Sequence, residues 1–283
     1  TTLFRSCRFL LRPGDTVLVD DPCYFNFRAL LRAHQVKLVS VPYTPSGPDV
    51  ASFEAVLEAE RPRLYITVSG LHNPTGATMS PQTAHRVLNA ATACDLTIVE
   101  DDIFADFEPE PSARLAALDG LNRVIRIGSF SKTLSASLRC GFIAARADWI
   151  EQLVDLQVAT GFGGPCAVAT EIIASVLATG FYRKHVEELR RRLARARRDV
   201  GEKLQRIGIE PWLMPRGGFQ LWCRLPDGCD SADVARAALA DNIVLAPGNV
   251  FSTTQSASGF MRFNVAQCRD PKLMPALQRA LGR

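Results

Sequence analysis

Polar side chains follow four short apolar runs in the first half of the chain, at the points where these runs end. The set is Tyr24, Asn73, Asp101, Asp102, Ser129, Ser131 and Lys132. Apolar runs without polar alternation, separated by helix-like stretches, are typical of strands in a sheet covered on both faces. Ligands bind at the carboxyl ends of the strands in such sheets. The sequence therefore predicts one polar site there, although each cluster alone could be an ordinary turn.

These residue types match the needs of an aldehyde cofactor that carries a phosphate on a pyridine ring. A lysine forms an imine with the aldehyde, and Lys132 is one of only five lysines in the chain. A buried carboxylate keeps the pyridine nitrogen protonated, and Asp101 ends the neighbouring strand. Ser129, Ser131 and Arg139 supply hydroxyl and guanidinium donors for a phosphate. The pattern predicts a pyridoxal 5'-phosphate site.

The elements that position these groups fall into two patterns. Apolar runs and helices alternate through about residue 145, which indicates an α/β fold, whereas helices and then strand-like pieces dominate from about residue 151. We expect a large domain over residues 1–165 and a smaller C-terminal α+β domain over residues 166–283, with residues 161–165 as the seam. The predicted strands of the large domain are 17–20, 37–41, 64–69, 96–100, 124–128 and 141–145.

Composition narrows the class of protein. The chain has 283 residues, of which 47% are hydrophobic and 22% charged, as is ordinary for a globular protein. A net charge of +4 is too small to indicate nucleic-acid binding, and we interpret the arginine-rich segment 182–207 as a solvated helix face. Eight cysteines without zinc spacing predict reduced thiols in a cytoplasmic protein that holds no metal. No apolar run reaches membrane-spanning length.

Several spaced motifs together resemble the class I and II aminotransferases of pyridoxal-phosphate fold type I. The motifs are PGDTVLVDDPCYFN, HNPTG, EDDIFADF, SFSKTLSASLRCGF, GGFQLW, APGNVF and MRFNVA, in that order along the chain. The resemblance extends over essentially the whole sequence. It implies a large domain with a mostly parallel sheet and helices on both faces, plus the smaller C-terminal α+β domain.

The resemblance implies a role for each residue around the cofactor ring. Lys132 would hold the cofactor as a Schiff base and then move the proton in the 1,3-shift. Asp101 would pair with the pyridine nitrogen, with Asp102 as the alternative if the register is off by one. Asn73 would hydrogen-bond the phenolic oxygen, and Tyr24 would stack on the ring. Asn73 could instead be only a turn former, and Tyr24 only a core aromatic.

The same resemblance assigns the phosphate and the substrate. Ser129, Ser131 and Arg139 would hold the phosphate, although the two serines could also cap a helix. Arg262 would grip the α-carboxylate of an amino acid or a 2-oxo acid, for which a planar bidentate donor is suited. A surface arginine on an edge strand is the other interpretation of Arg262. His72 is expected to be a packing residue.

Two departures from the family pattern stand out. Ile103 and Phe104 occupy the places where the family usually has a tyrosine that donates to the phenolic oxygen, and its loss should raise the pKa of the Schiff base. The family's glycine- and serine-rich phosphate turn would fall just before Thr1. We therefore expect the chain to be an N-terminally incomplete piece of a longer protein.

Two functions fit the resemblance almost equally well. One is a pyridoxal-phosphate-dependent aminotransferase, which is expected to form a homodimer. The other is the effector domain of a MocR/GntR-type transcriptional regulator, which senses an amine or amino acid and contacts DNA only through an upstream domain. A decarboxylase or lyase is a third possibility, which a held carboxylate disfavours. No membrane partner is expected.

Overall fold

The computed structural model describes residues 2–161 and 164–282, so two residues of the predicted seam, Phe162 and Gly163, lie outside the described residues. The strands are β1 (Thr16–Asp21), β2 (Lys37–Thr44), β3 (Gly47–Pro48), β4 (Leu64–Thr67), β5 (Thr97–Asp101), β6 (Val124–Ser129), β7 (Gly141–Ala144), β8 (Glu210–Pro211), β9 (Gln220–Arg224), β10 (Ala246–Pro247) and β11 (Phe260–Asn264). The helices are α1 (Thr2–Leu10), α2 (Phe25–Ala33), α3 (Val50–Glu60), α4 (Pro81–Ala93), α5 (Leu115–Asp119), α6 (Ala147–Gly161), α7 (Ala167–Ala178), α8 (Phe181–Arg206), α9 (Ser231–Ala238) and α10 (Leu273–Ala280).

Side chains at the helix starts explain several of these boundaries. Asp49 accepts from the Ser52 amide at 2.9 Å at the start of α3, and Ser80 accepts from the Thr83 amide at 3.1 Å at the start of α4. Such caps satisfy amides that have no partner within the helix. Pro81 follows Ser80 at a position where proline costs the helix no hydrogen bond.

The larger sheet has seven strands in the order β3-β2-β1-β4-β5-β6-β7. Strands β2, β1, β4, β5 and β6 are parallel, while β3 and β7 are antiparallel edge strands. All six strands predicted from the first half of the sequence are present, and the predicted α/β fold is confirmed. The parallel strands bring the segments after β1, β4, β5 and β6 to one edge of the sheet.

Both faces of the larger sheet are buried. Leu18 and Tyr65 pack in one cluster with side chains of α3 and α4. Val17, Val19 and Ile66 point to the opposite face and share a cluster with side chains of α1, α2, α8 and the smaller sheet. Successive residues of a strand alternate between faces, so two covered faces require the continuous apolar runs seen in the sequence.

The smaller sheet is antiparallel, in the order β10-β11-β9-β8. Leu221 and Met261 on one face join the hydrophobic core. Gln220, Arg262 and Asn264 alternate with these positions and line a cavity between the two sheets. The smaller sheet therefore contributes one wall of the site.

Helix α8 carries the arginine-rich segment. Glu188 pairs with Arg191 and lies 3.1 Å from the guanidinium of Arg192, which matches a solvated helix face. Among the described residues, no helix is both long enough and apolar enough to cross a membrane.

Candidate active site

One cavity of about 750 Å³ lies at the carboxyl ends of the parallel strands. Its lining includes all eight predicted site residues, which are Tyr24, Asn73, Asp101, Ser129, Ser131, Lys132, Arg139 and Arg262. These residues come from both sheets and from five separate segments of the chain. The structure thus brings the predicted set together around a single space.

The lysine segment turns sharply after β6. Ser129 Oγ accepts from the Ser131 amide at 3.1 Å and lies 2.9 Å from Ser131 Oγ. The Lys132 side chain is exposed and forms no hydrogen bond or ion pair with any described residue, so its amine is available to a ligand. A Cβ atom on Gly141 would lie 2.5 Å from the Gly128 carbonyl oxygen. Glycine is therefore required where the return strand passes the lysine segment.

Asp101 and Asp102 have different surroundings because successive strand residues face opposite sides. Asp101 faces the cavity and accepts one hydrogen bond, from the Ile103 amide at 3.3 Å. Burial raises the pKa of Asp101 to about 7, and the positive charge of Lys132 only partly opposes this. The Asp101 carboxyl thus has little compensation for burial and suits a cationic partner from a ligand.

Asp102 belongs to a buried ion-pair network. Its carboxylate accepts from Arg114 Nε at 2.6 Å and from Arg126 Nη2 at 2.6 Å. Arg114 also donates to Glu108 at 2.6 Å. Asp102 does not line the cavity, so the geometry favours Asp101 over the alternative one residue along.

The raised pKa of Asp101 predicts a pH dependence of stability in the cofactor-free protein. The unfolded carboxyl ionises near pH 4, whereas the folded carboxyl ionises near pH 7, so the folded state binds more protons in between. The free energy of unfolding should therefore fall with rising pH in this window, by at most about 1.4 kcal/mol per pH unit. Urea titrations of wild type and Asp101→Asn at several pH values measure this. Parallel curves for the two proteins would contradict the prediction.

Arg262 and Asn73 contact each other across the two sheets. Arg262 Nη1 donates to Asn73 Oδ1 at 3.0 Å, and the guanidinium carbon lies 4.7 Å from the centre of the Phe251 ring. Arg262 Nε is buried and has no hydrogen-bond partner among the described residues. Strand β11 lies between β9 and β10, so Arg262 is not the edge-strand surface residue of the alternative interpretation.

Tyr24 and the two residues that replace the family's tyrosine also lie at the cavity. Tyr24 immediately precedes α2 and packs edge-on against Phe25 and Phe27, with ring centres at 4.8 and 5.6 Å. Ile103 and Phe104 both line the cavity, so no phenol stands at either place.

His72 packs beneath the turn that carries Asn73, as expected. Its ring stacks on Tyr43 at 3.8 Å, and Nδ1 lies 2.8 Å from Thr75 Oγ1. Nε2 lies 3.3 Å from the carboxylate of buried Asp20, but not in hydrogen-bond geometry.

Several polar residues of the cavity were not predicted from the sequence, and Gln220 is one of them. Gln220 is buried, and its Oε1 atom has no partner among the described residues. It pairs with Asn264 across β9 and β11, two positions along from Arg262. Only the strand register places Gln220 beside the predicted arginine, so the sequence alone carries no signal for it.

Comparisons with known proteins match this architecture. The family model described as aminotransferase class I and II matches residues 3–279. Aromatic-amino-acid aminotransferase 1 of Thermococcus litoralis is 27% identical over 96% of this chain and 67% of its own length. The uncharacterized HTH-type transcriptional regulator YdcR of Escherichia coli is 30% identical over 92% of this chain, which spans 56% of that regulator. The α-aminoadipate aminotransferase LysN of Thermus thermophilus, solved with N-(5'-phosphopyridoxyl)-L-leucine, superposes with a TM-score of 0.89 at 26% identity, covering 99% of this chain and 74% of LysN.

Proposed function

Because the chain belongs to the class I and II aminotransferase family, we propose that it binds pyridoxal 5'-phosphate and transfers the amino group of an amino acid to a 2-oxo acid. The observation that carries the proposal is the single cavity in which Lys132, Asp101 and Arg262 meet. An amine, a carboxylate and a bidentate carboxylate donor are the three groups that this reaction requires of its protein.

The residues present fit the cofactor. The Lys132 amine has no hydrogen-bond or ion-pair partner among the described residues, and the one hydrogen bond that the Asp101 carboxylate accepts there comes from a backbone amide rather than from a cation. Ser129, Ser131 and Arg139 line the same cavity from the segment at and after the end of β6, and they would hold the phosphate. Tyr24 would cover the ring. When bound, pyridoxal phosphate supplies an electron sink that makes the α-proton of an amino acid acidic.

Lys132, Asp101 and Asn73 would each have a separate role in the reaction. Lys132 would hold the cofactor covalently at rest and afterwards, as a free amine, would remove the proton at the substrate α-carbon and deliver it to the cofactor side of the imine, which completes the 1,3-shift. Asp101 keeps the proton on the pyridine nitrogen. Asn73 has its Oδ1 on Arg262, which leaves its amide NH₂ to donate to the phenolic oxygen.

Arg262 is proposed to bind the substrate carboxylate. Its guanidinium is oriented by Asn73 and Phe251, and its unpartnered Nε atom is a second donor for an incoming anion. Burial lowers the pKa of Arg262, and a carboxylate would relieve that cost. Held in this way, the carboxylate is retained, which favours amino-group transfer over decarboxylation.

Replacing Arg262 by lysine should weaken substrate binding more than it slows the chemical step. A lysine ammonium cannot donate the two parallel hydrogen bonds that a planar guanidinium gives to a carboxylate, so we expect KM for the amino acid to rise about 100-fold. Steady-state kinetics measures the change. Arg224→Lys is the matched control, since Arg224 packs on the Phe260 ring from the neighbouring strand without lining the cavity. An equal effect of the two substitutions would argue against the role of Arg262.

A single-turnover experiment tests the proposed reaction. The cofactor-loaded protein is mixed with leucine, 2-aminoadipate or an aromatic amino acid, and the bound cofactor is analysed by absorbance and chromatography. Conversion to pyridoxamine phosphate supports the proposal. A spectral change that persists without conversion would favour the second candidate function.

That second candidate is the ligand-sensing part of a transcriptional regulator, with DNA bound only through an upstream domain. The similarity to YdcR favours it, because this chain corresponds to little more than half of that protein. The same cavity would then bind an amine or amino acid without turnover.

We also propose a division into domains and a homodimer. Residues 1–165 would form the cofactor-binding domain, and residues 166–283 the smaller domain.

Apolar side chains left exposed on α6 and α7, including Val158 and Val168, support association of two copies. Sedimentation equilibrium of the purified chain tests the dimer, and a mass of one chain at micromolar concentration would contradict it.

A further inference from the structure

Helix α8 contacts the residue that follows Lys132. Tyr182 Oη lies 2.9 Å from Thr133 Oγ1, and His185 Nε2 donates to the Thr133 backbone oxygen at 2.7 Å. Thr133 is only 2% exposed, so competing water is largely excluded from its side chain. Helix α8 thereby fixes both the side chain and the main chain of the residue next to the proposed cofactor lysine.

The same tyrosine contacts the segment that follows Asp101. Tyr182 donates its hydroxyl proton to the carboxylate of Asp106, and Arg190 Nε donates to the Asp106 backbone oxygen at 2.7 Å. A phenol has one proton, so the Thr133 hydroxyl must be the donor to Tyr182 Oη. A hydrogen-bond chain therefore runs from Thr133 through Tyr182 to Asp106 and ends on a negative charge, which strengthens it.

We propose that Tyr182 is a positioning residue whose hydroxyl sets the lysine segment against the aspartate segment. This inference rests on the proposed function, because it concerns how Lys132 and Asp101 come to meet one bound cofactor. The two segments leave adjacent strands whose last backbone pair is Asp101 with Ile127, and the Tyr182 hydroxyl joins the two segments beyond that pair. The Tyr182 ring also packs edge-on against Phe130 at 5.8 Å, a contact that phenylalanine would keep.

Conservative variants separate the hydroxyl from the packing. Tyr182→Phe and Thr133→Val each remove one end of the same hydrogen bond, whereas Thr133→Ser keeps it. We expect kcat to fall about tenfold in the first two variants, with KM for the amino acid changed less than about twofold. Thr133→Ser should retain nearly full kcat, and the double variant Tyr182→Phe/Thr133→Val should be no slower than Tyr182→Phe alone.

A second readout needs no cofactor. Hydrogen exchange of the amides in residues 128–135 of the cofactor-free chain should accelerate about tenfold in Tyr182→Phe. Glu188→Gln is the control on the same helix, since the ion pairs of Glu188 within the described residues are with exposed Arg191 and Arg192. It should leave exchange in this segment unchanged.

The outcomes are distinct. Unchanged exchange in Tyr182→Phe, strictly additive effects in the double variant, or a Thr133→Ser variant as slow as Thr133→Val would each overturn the positioning role. A wild-type chain that forms no cofactor adduct would overturn the proposed function instead, and the exchange measurement would still show whether Tyr182 orders the segment.

Discussion

Replacing Lys132 by alanine is expected to lower kcat/KM for amino-group transfer by about 10⁴-fold or more, because one side chain supplies both the covalent link and the proton transfer. The structure offers no substitute, since no other lysine lines the cavity in the described part of the chain. The variant should still fold, because Lys132 is exposed and makes no contact with a described partner that its loss would break. Steady-state kinetics, with circular dichroism as a check of folding, measures the effect.

A matched control is Lys184→Ala. Lys184 is also exposed, on α8, and lies outside the cavity lining. Its removal should leave the rate unchanged. If Lys132→Ala retained more than a tenth of the wild-type rate, the amine at position 132 would not be the catalytic group.

Replacing Asp101 by asparagine is expected to lower kcat/KM by about 10²- to 10³-fold, as is found when a preorganised electrostatic group is removed from an active site. The amide cannot hold a proton on the pyridine nitrogen by charge, so the ring would withdraw electrons less well. Because ionised Asp101 is destabilised by burial, the cofactor-free variant should be at least as stable as the wild type at neutral pH.

The neighbouring Asp102→Asn variant should behave in the opposite way. Asp102 is one of two carboxylates that pair with buried Arg114, so its loss removes a charged hydrogen bond from that guanidinium and should lower the free energy of unfolding by about 1–3 kcal/mol. Its effect on the chemistry should be indirect. Urea unfolding and kinetics of both variants give the comparison, and a catalytic loss confined to Asp102→Asn would reverse the assignment.

The larger sheet could be predicted from the sequence because its strands are buried on both faces and therefore read as uninterrupted apolar runs. The site followed from the same pattern, since parallel strands place their carboxyl ends at one edge. Asn73 and Lys132 follow such strands and Asp101 ends one, and the structure places all three on one cavity.

Other features depended on contacts that the local sequence does not encode. Strand β7 runs antiparallel because the segment between it and β6 contains only a short helical turn, Ala136–Leu138, and is too short for a crossover. Strand β10 has only two residues, Ala246–Pro247, and Pro247 has no amide proton with which to extend the ladder. The contact between Tyr182 and Thr133 spans 49 positions along the chain and appears only in the folded protein.

The most direct test of the account is reduction of the cofactor-loaded chain with borohydride, followed by mass spectrometry of its peptides. We expect one stable phosphopyridoxyl adduct, located on Lys132, and loss of the cofactor's visible absorption on reduction. A chain that takes up no pyridoxal phosphate, or an adduct spread over the other four lysines with none on Lys132, would contradict it.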